Sequence, residues 1–140
     1  MIQEIEDRIN IIKYRLEQSK NVIDEIPFQI EKRYYVTAVN RIYYGMFYAV
    51  TALALLYKYE TSKHLQLIGW FNKCFIKENL IELTHGESIR KIYEKRQKGD
   101  YEPYIEFTEA EVQSMYEKMK SFISAIENFI INNQKQILDQ

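Results

Sequence analysis

The chain has one cysteine, Cys74, and two histidines among its 140 residues. A single thiol excludes an internal disulfide and suits a reducing compartment, and soft ligands this scarce exclude a structural zinc cluster. Glycine and proline are scarce too, at four and two residues. So few chain breakers exclude the many tight turns of a sandwich or barrel and favour long helices. Long apolar runs are missing as well: the uncharged stretch Ile42 to Tyr57 is shorter than a membrane span and carries four tyrosines. Neither sign of charge dominates, and a formal net charge of −1 argues against a protein built chiefly to grip nucleic-acid backbone while leaving room for a local basic patch. The acidic opening Glu4, Glu6, Asp7 excludes a secretory signal. The expectation is a single soluble, cytoplasmic domain over residues 1–140, with a core from about 2 to 131, no membrane segment, no metal and no cofactor.

What is present is a helix-forming stretch from Thr37 to Tyr57 with no proline and one charge, Arg41. Val39, Ile42, Met46, Val50 and Leu53 cover one side, while Phe47, Leu55 and Leu56 cover others. A helix apolar nearly all round belongs at the centre of a bundle. Thr37, Arg41, Tyr44, Tyr48 and Thr51 recur at alternating steps of four and three, so they share one polar face. A guanidinium on such a helix requires an acidic or hydrogen-bonding partner. Asp100, beside Gly99 at a helix end, is the expected one, as an ion pair across the bundle or as part of a polar pocket.

The other elements follow from periodicity. Ile2, Ile5, Ile9, Ile12, Leu16, Ile23 and Ile26 form a seam, interrupted by Ser19, that predicts a first helix over about 2–24. Pro27 is expected to open the second, central helix, about 28–59. Thr61 or Ser62 is placed to cap a third helix over about 63–77. Thr84-His-Gly-Glu87 reads as a capping box for a fourth helix, which Gly99 would end. Thr108-Glu-Ala-Glu111 is a second capping box, opening a fifth helix whose tail is expected to fray from Asn132. The fold class is therefore all-α, an up-and-down bundle of about five helices.

Three segments occur in order: Arg41-Ile-Tyr-Tyr-Gly-Met-Phe-Tyr-Ala49, Ser62-Lys-His-Leu-Gln-Leu-Ile-Gly-Trp-Phe71 and Arg96-Gln-Lys-Gly-Asp-Tyr101. Together they resemble the HEPN domain, over nearly the whole chain from about Glu31 to Phe129. The resemblance implies a helical bundle that forms a homodimer. It also implies a partner, a minimal nucleotidyltransferase, in toxin–antitoxin-type pairs, and nucleotide or RNA as ligand. Other members of that family are metal-independent endoribonucleases in which a histidine follows an arginine within two turns. This chain departs from that pattern. Tyr57, Lys58 and Tyr59 precede His64, and Glu78, Asn79 and Leu80 precede His85, where the arginine would stand. Arg96 is followed instead by Asp100 and Tyr101.

The resemblance and the residue chemistry together favour a non-enzymatic nucleotide- or partner-binding module working with a minimal nucleotidyltransferase. The runner-up is a metal-independent endoribonuclease with a degenerate site of Arg96, Tyr101 and His64, and the third reading is a structural adaptor without ligand. Arginine's planar fork suits phosphate, but arginine and tyrosine are both protonated at neutral pH in their ordinary states and supply no general base. The site residues singled out are Arg41, Tyr44, Tyr48, His64, Arg96, Asp100 and Tyr101, with the first three on the expected dimer face. Each also has a plainer reading. Arg41 and Asp100 would tie two helices, Arg96 would be structural at a dimer seam, and the tyrosines would be core or interface. His64 would cap or pack, and His85 would be exposed and silent. Tyr101 and Tyr104 lie where the resemblance implies adenylylation by a partner in some members. The basic run Arg90, Lys91, Lys95, Arg96, Lys98 reads by default as a solvated face, and Cys74 as a small core residue.

Overall fold

A computed structural model describes residues 2–139. It contains five α-helices and no strand among those residues: α1 (Ile2–Glu31), α2 (Tyr35–Leu56), α3 (His64–Phe71), α4 (Leu83–Tyr101) and α5 (Glu109–Leu138). Cross-links at matched heights give the directions. Ser19 and Glu25 of α1 bond Gly45 and Arg41 of α2, and Asn40 and Tyr44 of α2 bond Asp100 and Arg96 of α4. Lys20 and Ile23 of α1 bond Glu127 and Tyr116 of α5. The four long helices thus run up, down, up, down, and α3 with the π-helical turn Asn72–Ile76 is inserted between α2 and α4.

The central helix is α2, as its apolar girth requires: Ala38, Val39, Ile42, Tyr43, Met46, Ala49, Val50 and Leu53 are all buried. It is approached closely at Gly45, where an added Cβ would lie 3.0 Å from Met119 Sδ and 3.2 Å from Val22 Cγ1. The buried Ser19 hydroxyl, the polar break in the α1 seam, donates to the Gly45 carbonyl. Met119, Phe122, Ile126 and Ile130 bring α5 onto the same core.

Several boundaries differ from the sequence expectation. Pro27 does not begin a helix; it lies inside α1, and the break falls after Glu31, with Arg33 left-handed at φ 60°. Ile26 and Ile30 are both buried, so continuing the helix keeps the apolar stripe on the core. A proline there removes the N–H that would bond the carbonyl four residues back. That carbonyl, on Ile23, accepts the Tyr116 hydroxyl of α5 at 3.0 Å instead. The central helix accordingly begins at Tyr35 and ends at Leu56, shorter at both ends than expected.

Neither Thr61 nor Ser62 caps α3. Lys63 holds the cap position, and the Thr61 hydroxyl receives the Lys63 N–H at 3.2 Å in a tight turn. The Thr84 capping box does not form either: α4 starts at Leu83 without a side-chain cap. Gly99 does not end that helix, which continues to Tyr101. Its missing side chain makes room for Phe107, since a Cβ would sit 3.0 Å from that ring. The Thr108 box does form, with Thr108 Oγ1 accepting from the Glu111 N–H at 3.1 Å. Helix α5 extends past Asn132 to Leu138, whose side chain is buried. Among the described residues no helix is long and apolar enough to cross a membrane.

Candidate functional site

The polar face of α2 meets the C-terminal half of α4 and the first turn of α3 in one cluster. Arg96 is its centre. The guanidinium is largely covered, its side chain keeping 14% of its surface, and lies over the rings of Tyr43 and Tyr44 at 5.6 and 5.3 Å. Nη2 donates to the Tyr44 hydroxyl at 3.2 Å, and Nη1 to Gln97 Oε1 at 3.3 Å. Nε lies 2.9 Å from Asp100 Oδ2, one turn on in the same helix. The Nε–H is not aligned with that oxygen, so the pair is a charge contact and not a directed hydrogen bond. Asp100 is also held by the Asn40 amide, which donates to Oδ2 at 3.0 Å.

The ion pair expected between Arg41 and Asp100 is therefore absent. Successive helix residues point about 100° apart, so Asn40 faces α4 while Arg41 faces α1. Arg41 Nε meets Glu25 Oε1 at 2.5 Å, and both side chains keep about a third of their surface. The Glu25 hydrogen bond, assisted by Tyr48, holds the Arg41 pKa above its ordinary value against the opposing effect of burial. The Arg41, Tyr44, Tyr48 stripe is half-buried.

His64 enters the same cluster from α3. Its ring stacks on Phe47 at 4.2 Å and 12° and lies edge-on to Tyr44. Its Nδ1 is 2.7 Å from the hydroxyl of the fully buried Tyr43. Burial pushes the His64 pKa down and the Arg96 charge lowers it further, so the imidazole is neutral at pH 7. Burial pushes the Tyr43 phenol well up, so it stays protonated. An open cavity of about 520 Å³ lies beside these groups, lined by Ser62, His64, Gln66, Tyr93, Arg96 and Tyr101.

Of the residues singled out in the sequence, His64, Tyr44, Arg96, Asp100 and Tyr101 come together around this groove. Arg41 lies apart from it, paired with Glu25 of α1, while Tyr48 packs beside the Tyr44 and Phe47 rings at 6.1 and 6.5 Å. Tyr101 is 73% exposed at the rim, and Tyr104 is wholly exposed in the following loop, left-handed at φ 70°. His85, expected to be exposed, is half-buried with its ring edge-on to Phe122, and burial lowers its pKa. In the basic run only Arg96 turns inward; Arg90, Lys91, Lys95 and Lys98 are exposed. Cys74 is a free thiol packed against the core. Among the described residues no group of three or more His, Cys, Asp or Glu gathers as metal ligands.

Sequence reasoning missed Glu25, Asn40, Tyr43 and Phe47 as partners. The Arg96–Asp100 contact was available from its spacing of four along one helix, and the Tyr43–His64 contact had no local signal.

Comparison with known proteins matches the HEPN domain over residues 12–129. A UPF0332 protein of Thermotoga maritima is 32% identical over 124 residues, covering 89% of this chain and 94% of that protein. Two proteins of Methanocaldococcus jannaschii, each named "Putative toxin", are also 32% identical. Over 130 residues one alignment covers 93% of this chain and 84% of its relative. Over 124 residues the other covers 89% and 87%. With the bundle, the ordered motifs and a match over most of its length, the chain belongs to the HEPN domain family.

Proposed function

We propose that this chain binds a phosphate-bearing ligand, a nucleotide or RNA, in the groove beside Arg96 and His64 without cleaving it. We further propose that it acts with a minimal nucleotidyltransferase in a toxin–antitoxin-type pair. One observation carries the binding reading: a largely covered guanidinium and a neutral histidine converge on one open groove over tyrosine faces. Arginine's fork suits phosphate oxygens, and aromatic faces accept bases without sequence preference. The pairing rests on family membership and on the names of the two archaeal relatives. The half-buried stripe Arg41, Tyr44, Tyr48 is the homodimer face in this reading. The exposed Tyr101 and Tyr104 hydroxyls are the positions open to nucleotidyl modification.

Titration calorimetry with AMP and with a single-stranded RNA oligonucleotide tests the groove. Hydrogen bonds to a charged group contribute roughly 1.5–3 kcal/mol each, so Arg96→Ala should weaken binding by about ten-fold or more. Arg96→Lys should recover only part of that, keeping the charge but not the fork. Binding unchanged in Arg96→Ala would refute the site. Intact mass after incubation with a nucleotidyltransferase encoded beside the gene, and ATP, tests the partner. No mass gain and no complex would remove it.

A second reading, a metal-independent endoribonuclease with a degenerate site, draws support from one feature. His64 lies beside Arg96 in space although no arginine-to-histidine spacing exists in the sequence.

A further inference from the structure

We propose that Tyr43 is a positioning residue that fixes the tautomer of His64, so that the groove is presented with two donors, imidazole Nε2–H and the Arg96 guanidinium, and no basic ring nitrogen. The inference rests on the groove being a binding site, and it specifies the chemistry of that site: the ligand atoms received there are acceptor-only oxygens, as in a phosphate ester.

The Tyr43 side chain has no exposed surface, and its phenolic oxygen has one hydrogen-bond partner among the described residues, His64 Nδ1 at 2.7 Å. A protonated phenol must place its hydrogen on an acceptor or leave a buried donor unpaired. If Nδ1 carried the ring proton, it would donate to the phenolic oxygen, and the phenolic hydrogen would have no acceptor among the described residues. Tyr44, Phe47 and Tyr93 pack around the Tyr43 ring at centroid distances of 5.4–6.0 Å, with the donor-only Arg96 guanidinium over its face. If the phenol donates to Nδ1, the buried Tyr43 hydroxyl is satisfied and the ring proton sits on Nε2. The stack on Phe47, 4.2 Å between centroids, sets the plane of the ring in which Nδ1 meets the phenol.

Nε2 is then the outward nitrogen. It has no partner among the described residues, yet it is not among the buried unsatisfied atoms, so it is open to solvent at the groove. Facing it, Arg96 offers only N–H groups. A proton-abstracting base is absent from this pair in its resting state, because the one basic imidazole nitrogen is occupied by Tyr43.

Long-range ¹H–¹⁵N correlation of the His64 ring in the full chain, without ligand, tests the inference at a pH above the ordinary histidine value of about 6.5. The expected pattern is a proton-free Nδ1 and a protonated Nε2. In Tyr43→Phe the tautomer ratio should fall roughly five-fold or more, drawing the two nitrogen shifts together. A protonated Nδ1 in the unsubstituted protein overturns the proposal, and this holds even if the Phe variant fails to fold. An unchanged ring pattern in folded Tyr43→Phe also overturns it. Titrating the same sample with inorganic phosphate separates the two ideas. A correct tautomer with no phosphate response counts against the binding reading alone. A phosphate response with the wrong tautomer counts against the lock alone.

Discussion

Pro27 and Tyr116 should be energetically coupled although they lie on different helices. Proline at position 27 deprives the Ile23 carbonyl of its helical N–H, and the Tyr116 hydroxyl takes that place at 3.0 Å. Tyr116→Phe therefore leaves a half-buried carbonyl with neither partner. An unsatisfied buried acceptor costs about 1–3 kcal/mol; with Ile23 partly open to water, the lower half of that range, about 1–2 kcal/mol, applies. Pro27→Ala restores a backbone N–H four residues after Ile23 and should itself stabilise α1, since proline inside a helix is about 3 kcal/mol worse than alanine. Part of that gain is offset because proline also restricts the unfolded chain. In the Pro27→Ala background, Tyr116→Phe removes only a second bond to an already satisfied carbonyl and should cost about 0.5 kcal/mol. The coupling is then about 1 kcal/mol, outside the error of additive, independent sites. Urea unfolding of the four proteins, followed by circular dichroism, measures it. Strict additivity, or a Tyr116→Phe cost unchanged by Pro27→Ala, would refute the idea that the hydroxyl substitutes for the missing backbone donor.

Gly45→Ala brings opposing effects: alanine improves helix propensity by about 1 kcal/mol, while its Cβ meets Val22 and Met119 in a core where overpacking costs about 1–3 kcal/mol. The net should be destabilising by up to about 2 kcal/mol and should reverse sign in a Val22→Ala background, as urea midpoints of the double-mutant cycle would report. Thr108→Ala removes the α5 cap and should cost about 1 kcal/mol of stability; a midpoint equal to the unsubstituted protein would show the cap to be idle. His64 and His85 both have folded pKa values lowered by burial, with the Arg96 charge adding to the effect at His64. The unfolded chain therefore binds protons first, so stability is full above about pH 6.5 and falls as pH drops from there toward the folded values. Urea midpoints should decline as pH falls below about 6.5, less steeply in His64→Gln, and a flat profile would contradict the assigned burial.

The bundle was legible because it depends on long-range periodicity. Apolar spacing marked α1, α2 and α5, and the Thr108 box marked where α5 begins. Boundaries set by local breakers were not legible. Pro27 and Gly99 both look like helix stops, yet each sits inside a helix for a tertiary reason, a hydroxyl from α5 in one case and the Phe107 ring in the other. The site was legible in its residue types and less so in its pairings. Arg41 was correctly read as needing an acid, but one residue of helix rotation gave Asp100 to Asn40 and Arg96, and left Arg41 to Glu25. His64 and Arg96 are separated by thirty-two positions in the chain, so no local motif could bring them together. Their shared contacts with Tyr43 and Tyr44 do.

The central claim is that the Arg96–His64 groove holds a phosphate ester and leaves it intact. Incubating the purified protein with a labelled single-stranded RNA in EDTA, beside Arg96→Ala, tests it most directly. The account predicts RNA that is retained by the unsubstituted protein, bound at least about ten-fold more weakly by the variant, and full-length in both. RNA cut by the unsubstituted protein and spared by Arg96→Ala would contradict it and make the groove an active site.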